Sequence, residues 1–315
     1  MSTSVLSAPA VAESTAPGVA QTVLSFDVEE HHRIEAAAGL AVGDGLKAHY
    51  RERLGPATHW LLDRLAEHGI RATFFVVGEI ARHSPDLVRA IHRAGHEVAS
   101  HSWDHQRVHR LTPAQFRADV RRSKDALEQV TGEAVVGYRA PTFSIVRETA
   151  WALDVLAEEG MRYDSSVYPV RHDRYGVPGA PRSPFLARGV RHALLELPPA
   201  TLRLLGANLP AGGGGYFRLF PLALLAAALR QLRRDCDPPA AMLYFHPWEF
   251  DPDQQRLPLG RLSRFRTYVG IRRSGGRLRA LLAGGLFTRA VDLAGQLTPR
   301  RRALPVFEVG GRLAA

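Results

Sequence analysis

Short apolar runs of β-forming residues recur along this chain, and five of them end on a residue able to do acid–base or metal chemistry. Thr22-Val23-Leu24-Ser25-Phe26 leads into Asp27, and Glu97-Val98-Ala99-Ser100 into His101. The run 134–138 leads into Arg139, a weaker one at 161–163 into Asp164, and Ala241-Met242-Leu243-Tyr244-Phe245 into His246. Two more runs lie at 72–77 and 192–197. Helical patterns fill the intervals. Leu61, Leu62 and Leu65 sit at helical spacing within 59–68, and the stretch 85–94 follows Ser84, an N-cap residue. The stretch 112–130 opens on Thr112-Pro113, 148–159 stops at Gly160, and 222–234 precedes the last run. Strands alternating with helices make parallel sheets with crossover connections. Some seven such units predict an α/β fold, a distorted (β/α) barrel of about seven strands, with an open doubly wound sheet as the alternative. In a barrel the chemistry collects at the C-terminal strand ends, where Asp27, His101, Arg139, Asp164 and His246 all fall.

His101 and His105 are four residues apart, and their imidazoles reach one point if the segment turns helically. Two histidines with a carboxylate are a common metal-binding set. On a solvated helix the same spacing carries no meaning, so the case rests on the clusters at the other strand ends.

Composition narrows the classes. A chain of 315 residues with 45% hydrophobic content supports a large core. Its single cysteine, Cys236, excludes an intrachain disulfide and a cysteine-based zinc knuckle, which fits a reducing compartment. The net charge of +10 is nearly all arginine, since Lys47 and Lys124 are the only lysines. A solvated basic surface accounts for it, with an anionic polysaccharide, a membrane surface or nucleic acid as functional alternatives. Without a nucleic-acid motif, nucleic acid is not expected as a partner. Residues 1–20 read as a disordered tail rather than a leader peptide, 21–300 as the barrel, and 301–315 as a C-terminal tail. The apolar stretch 222–229 is too short to span a bilayer. Residues 168–186 and 206–218 read as loops, the latter holding Gly212-Gly213-Gly214-Gly215, which suggests a mobile lid over the barrel mouth. The expected location is cytoplasmic, with action before export, at the inner face of the membrane if the protein associates there peripherally.

Six ordered motifs carry a resemblance. They are Ser25-Phe26-Asp27-Val28-Glu29, Ala72-Thr73-Phe74-Phe75-Val76-Val77-Gly78, Gly95 through His105, Tyr138-Arg139-Ala140-Pro141-Thr142-Phe143, Tyr163-Asp164-Ser165-Ser166, and His246-Pro247-Trp248-Glu249. The chain resembles NodB-type polysaccharide deacetylases over roughly residues 22–293. It more closely resembles the subfamily of exosortase (PEP-CTERM) exopolysaccharide loci, through the region from Glu196-Leu197-Pro198 to Phe250-Asp251-Pro252.

The resemblance implies a distorted barrel that hydrolyses the N-acetyl group of an amino sugar with a divalent metal, zinc by preference. It implies Asp27 as general base, His246 as the acid for the leaving amine, and Asp164 as the carboxylate that orients His246. Arg139 would pin Asp27 through a bidentate pair. The metal ligands would be His101, His105 and a carboxylate. The family usually places two adjacent aspartates in its first motif, but here Val28 follows Asp27. Strand alternation puts Glu29 on the face of Asp27, with Glu30 as the other choice. A backbone N–H near Thr142 would face the oxyanion, and Thr142, Phe143, Trp248 and Tyr216 are expected substrate contacts. The substrate would be a polysaccharide or a lipid-linked oligosaccharide. Two rivals remain at this point: an amidohydrolase of small cyclic or linear amides, like allantoinase, and a non-catalytic carbohydrate-binding component of a synthesis complex. Oligomeric state is not legible in the sequence.

Overall fold

The computed structural model describes residues 21–311, so the tail read at 1–20 and residues 312–315 lie outside the described residues. Seven parallel strands form its centre. In spatial order they are Ala240–Phe245, Gln21–Val28, Thr73–Val76, Glu97–Ser100, Gly137–Tyr138, Tyr163–Asp164 and Ala193–Glu196. The sheet curls until its two ends meet. No regular ladder joins them. Isolated bridges link Pro199 to Met242 and Gly213 to Tyr244, supported by hydrogen bonds from Ala200 N to Met242 O (2.9 Å) and Tyr244 N to Gly212 O (2.8 Å). This is the expected distorted barrel.

Residue parity explains how the first strand aims its functional groups. Seven of its eight residues are buried, because a parallel strand is covered on both faces. Leu24, Phe26 and Val28 face the outer helices, in one core with Phe74, Val76 and Phe245. Val23 faces inward with Phe75, Ala99, Tyr163 and Met242. Ser25 and Asp27 share the parity of Val23, so they enter the barrel at its C-terminal end.

Several elements differ from the sequence reading. The helix expected at 59–68 runs from Asp44 to Glu67 and includes Pro56. Tyr50 and Leu54 bury their side chains ahead of Gly55-Pro56 and hold the helix together across it. Residues 206–218 are not a free loop. Thr201–Leu204 and Ala207–Pro210 form a hairpin, and Gly214–Leu219 is a short helix. The stretch read as a C-terminal tail carries a strand, Val306–Glu308, which pairs with Phe185–Arg188 on the outer edge of the sheet. Three residues hold too little pattern to betray a strand whose partner lies so far back in the chain. Two further helices, Arg261–Tyr268 and Ile271–Ala283, follow the last barrel strand. No helix among the described residues is long and apolar enough to cross a membrane.

Candidate active site

The strand ends enclose a cleft of about 210 Å³ whose floor holds Asp27, Glu29, His101, His105 and His246. Arg139 anchors that floor. It is fully buried, with its guanidinium carbon 4.1 Å from the centre of the Phe75 ring. Its pairing with Asp27 is single rather than bidentate. Nη1 donates to Asp27 Oδ1 at 2.5 Å and to Ser25 Oγ at 2.9 Å, while Nε and Nη2 donate to the carbonyl and hydroxyl of Ser165. The fork is spread over the ends of two other strands, so it leaves Asp27 Oδ2 free of the arginine.

His101 donates from Nδ1 to the carbonyl of Arg139 at 2.8 Å, which leaves the Nε2 lone pair turned to the cleft. Burial holds this imidazole at about pKa 4, so it is neutral, as a metal ligand must be. The two histidines do not converge through a helical turn. Ser102 and His105 adopt left-handed backbone angles, φ 63° and 66°, and Ser102 Oγ accepts from the His105 N–H at 2.9 Å. That tight turn brings the two rings to a centroid distance of 5.0 Å.

Glu29 completes the cluster: one ligand atom from each of Glu29, His101 and His105 falls within 4.8 Å of the others. Glu29 Oε2 lies 2.5 Å from His105 Nε2, yet it is a buried oxygen without a hydrogen bond. The carboxylate oxygen and the imidazole nitrogen thus point at one spot, where a shared cation would take the place of their direct contact. Burial alone would raise the Glu29 pKa, but the imidazoles of His105, His246 and His101 outweigh it and hold the carboxyl well below the usual range. The residues present therefore fit a divalent metal. Glu30 does not share this site. Its carboxylate takes Arg33 Nε at 2.5 Å and His83 Nε2 at 3.0 Å.

His246 faces the carboxylates from the last barrel strand. Its Nε2 lies 3.9 Å from Asp27 Oδ2 and 3.6 Å from Glu29 Oε1. The carboxylate that orients it is Glu249, not Asp164. Glu249 Oε1 accepts from His246 Nδ1 at 2.7 Å and from its backbone N–H at 3.1 Å. Arg218 Nε stands 2.9 Å from the other oxygen of Glu249. Burial would lower the His246 pKa; the hydrogen bond and charge of Glu249, then Glu29 and Asp27, reverse this and raise it to about 9. Asp164 instead accepts from the Ser166 hydroxyl (2.6 Å) and lies against Glu196. Burial, then the charge of Asp164, pushes Glu196 well above the usual carboxylate range, so this pair keeps a proton. Its reach is indirect: Ser166 Oγ accepts from Ala140 N at 2.7 Å, which fixes the loop after Arg139.

The expected substrate contacts all line the cleft: Thr142, Phe143, Trp248 and Tyr216. Thr142 and Phe143 hold positive φ of 56° and 51°. With Ser102 and His105 they put four left-handed non-glycine residues around one cleft, a concentration of strain expected where geometry serves chemistry. Trp248 is pinned by His31, whose ring lies 4.5 Å from its own. His31 is itself buried, and its Nε2 meets Tyr268 Oη at 2.8 Å. The sequence reading also missed Glu249 and Arg218. Glu249 had a signal in its place three residues after His246, on a segment too short to be read as a helix. Arg218 had none among so many arginines.

Residues 47–163 match the family model described as polysaccharide deacetylase. That stretch of the chain is similar to the polysaccharide deacetylases. Enzymes of this family hydrolyse N-acetyl amide bonds and depend on a metal. Residues 165–294 match a second model, described as a domain of unknown function (DUF3473). The boundary between the two models cuts through the barrel, because Tyr163–Asp164 pairs directly with Ala193–Glu196. The stretch that matches the deacetylase model thus brings His101, His105 and Arg139, the second stretch brings His246, Glu249 and Arg218, and Asp27 and Glu29 precede both.

The chitooligosaccharide deacetylase of Bradyrhizobium sp. (strain ANU 289) is 33% identical over 97 residues, 31% of this chain and 42% of that protein. The peptidoglycan-N-acetylglucosamine deacetylase of Bacillus cereus is 28% identical over 95 residues, 30% of this chain and 34% of that protein. The matches span well under half the length of these relatives. Two solved structures share the fold over nearly the whole chain. One, from Mycobacterium smegmatis and classed with the polysaccharide deacetylases, has a TM-score of 0.57 at 22% identity and covers 96% of this chain and 99% of its own. The other, an allantoinase, has a TM-score of 0.59 at 19% identity and covers 90% and 92%. At these identities the likeness shows the barrel alone.

Proposed function

We propose that this protein hydrolyses the N-acetyl group of amino sugars in a bacterial exopolysaccharide or its lipid-linked precursor. The observation that carries the reading is Asp27 and His246 facing each other at 3.9 Å beside the buried cluster of Glu29, His101 and His105. A simple carbohydrate-binding module needs no such set.

Glu29, His101 and His105 would hold a divalent metal, zinc by its liking for two imidazoles and a carboxylate, which supplies a Lewis acid for the amide carbonyl and its water. Asp27 Oδ2, left free by Arg139, takes the proton of the attacking water. The Thr142 N–H donates to the oxygen that gains charge. His246 Nε2 then gives a proton to the amine nitrogen as the carbon–nitrogen bond breaks, yielding acetate and a free amino sugar. Glu249, backed by Arg218, keeps Nε2 of His246 aimed at the cleft. Phe143, Trp248 and Tyr216 supply the walls against which a sugar ring packs.

The exopolysaccharide setting is supported by the motifs from Glu196-Leu197-Pro198 to Asp251-Pro252. The test is acetate release from N-acetylglucosamine oligomers by the zinc-loaded protein. Asp27→Asn should lower turnover by a factor of roughly 100 to 10,000 while the fold survives. Release of no acetate, together with hydrolysis of a cyclic amide such as allantoin, would replace this reading with the amidohydrolase one.

A further inference from the structure

We propose that this protein docks peripherally on an anionic lipid bilayer, through a face that borders the mouth of its cleft. The face is built from three helices after the hairpin: Gly214–Leu219 packs against both Arg261–Tyr268 and Ile271–Ala283. Two of them also line the cleft, through Gly214, Gly215 and Tyr216 on one side and Arg266 and Thr267 on the other. Their outer sides are apolar in an unusual way. Leu262 is 63% exposed and Phe265 56%, three residues apart on one helix face, while Leu219 is 49% and Phe220 37% exposed beside them.

Charge selects the occupant. From Gln254 to Val291 the chain has no carboxylate, and it exposes Arg261, Arg264 and Arg266 on one helix and Arg272, Arg273 and Arg279 on the next. Of the arginines on these two helices, only Arg266 finds a carboxylate among the described residues, Asp173 at 4.0 Å. Exposed Leu and Phe interleaved with unpaired arginine is the composition of segments that lie in a lipid interface: the apolar groups enter the acyl boundary and the guanidinium groups meet phosphate. A soluble anionic polysaccharide would account for the arginines and leave Leu262 and Phe265 unexplained. Docked this way, the cleft opens beside the headgroups, where a lipid-linked glycan would present its sugars. That last consequence rests on the deacetylase reading; the docking does not.

The test is flotation with vesicles of phosphatidylcholine, alone or mixed two-to-one with phosphatidylglycerol. The full chain should bind the anionic vesicles at least about tenfold more tightly than the neutral ones, and added salt should weaken the binding. The double variant Leu262→Ser, Phe265→Ser and, separately, Arg261→Glu with Arg264→Glu should each lose about tenfold in binding. All four positions lie outside the cleft, so acetate release from a soluble oligomer should not change. Equal binding to both vesicle types would overturn the proposal. So would alginate binding as tight as vesicle binding and unaffected by the serine variant. Vesicle binding without acetate release would sink the deacetylase reading and leave the docking standing; the reverse pattern would sink the docking alone.

Discussion

Glu29 and Glu30 are neighbours, both are buried, and the fold gives them opposite tasks. Glu29 turns into the cleft with an oxygen that lacks a hydrogen bond. Glu30 turns outward, where Arg33 and His83 occupy its oxygens. Each substitution should therefore fail differently. Glu29→Ala, His101→Ala and His105→Ala should lose bound zinc, read by metal analysis of the purified protein, with little harm to folding. Glu30→Ala should keep the zinc and lose about 2 kcal/mol of stability in a urea titration, since it removes one of the two carboxylates on the largely buried Arg33 and leaves it Glu79. Glu249 supplies a second test at this scale. Glu249→Gln keeps the shape but removes the charge that steadies His246, so N-acetyl turnover should fall by a factor of roughly 100. An activated aryl acetate, whose leaving group needs no proton, should be spared. An equal loss on both substrates would mean that Glu249 only holds the loop.

Among the elements, the glycine stretch has a role opposite to the expected lid. Gly213 sits at φ 155°, in register with Tyr244, and a β-carbon there would lie 1.7 Å from the Tyr244 carbonyl oxygen. Gly212 would meet the backbone of Ala200 and Met242 at 3.0 Å. These glycines are the seam where the barrel closes, and only residues without a side chain let the backbones approach so closely. Gly213→Ala should cost about 3 kcal/mol or more, visible as a fall in melting temperature, and zinc content should fall only in proportion to unfolded protein. A stable variant that loses turnover would restore the lid.

For the whole molecule, the buried Asp164–Glu196 pair ties stability to pH. Its carboxyls are raised in the folded state, Glu196 well above its ordinary value and Asp164 to about 6. A raised carboxyl stabilises the fold while it stays protonated, and that contribution is lost as pH rises through the folded pKa. Wild-type melting temperature should therefore decline as pH rises above the ordinary carboxylate range of about 4, through about 6 and beyond. Glu196→Gln keeps a donor toward Asp164 at every pH, so it should flatten that decline. Parallel curves for the two proteins would show that the pair does not control the slope. Zinc acts on the same balance. A ligand that binds only the folded chain, at a hundred times its dissociation constant, adds about 2.7 kcal/mol, so zinc should raise the melting temperature of wild type but not of His101→Ala.

The alternation of apolar runs and helical patterns pointed to the barrel and to the end that carries the candidate site, because strand and helix periods are local properties of the chain. Parity along Thr22–Phe26 likewise placed Asp27 and Glu29 on one face, since side chains on an extended strand alternate whatever surrounds them. Residues 1–20 lie outside the described structure, and their reading stands on composition alone. What the sequence could not assign were partnerships between distant segments. Glu249 rather than Asp164 steadies His246, because Asp164 is taken by Glu196 and Ser166 within its own side of the barrel. Gly213 closes a seam instead of freeing a loop, and Val306–Glu308 finds a strand more than a hundred residues earlier. Such choices depend on which groups meet once the sheet has curled, and that is a property of packing rather than of any local pattern.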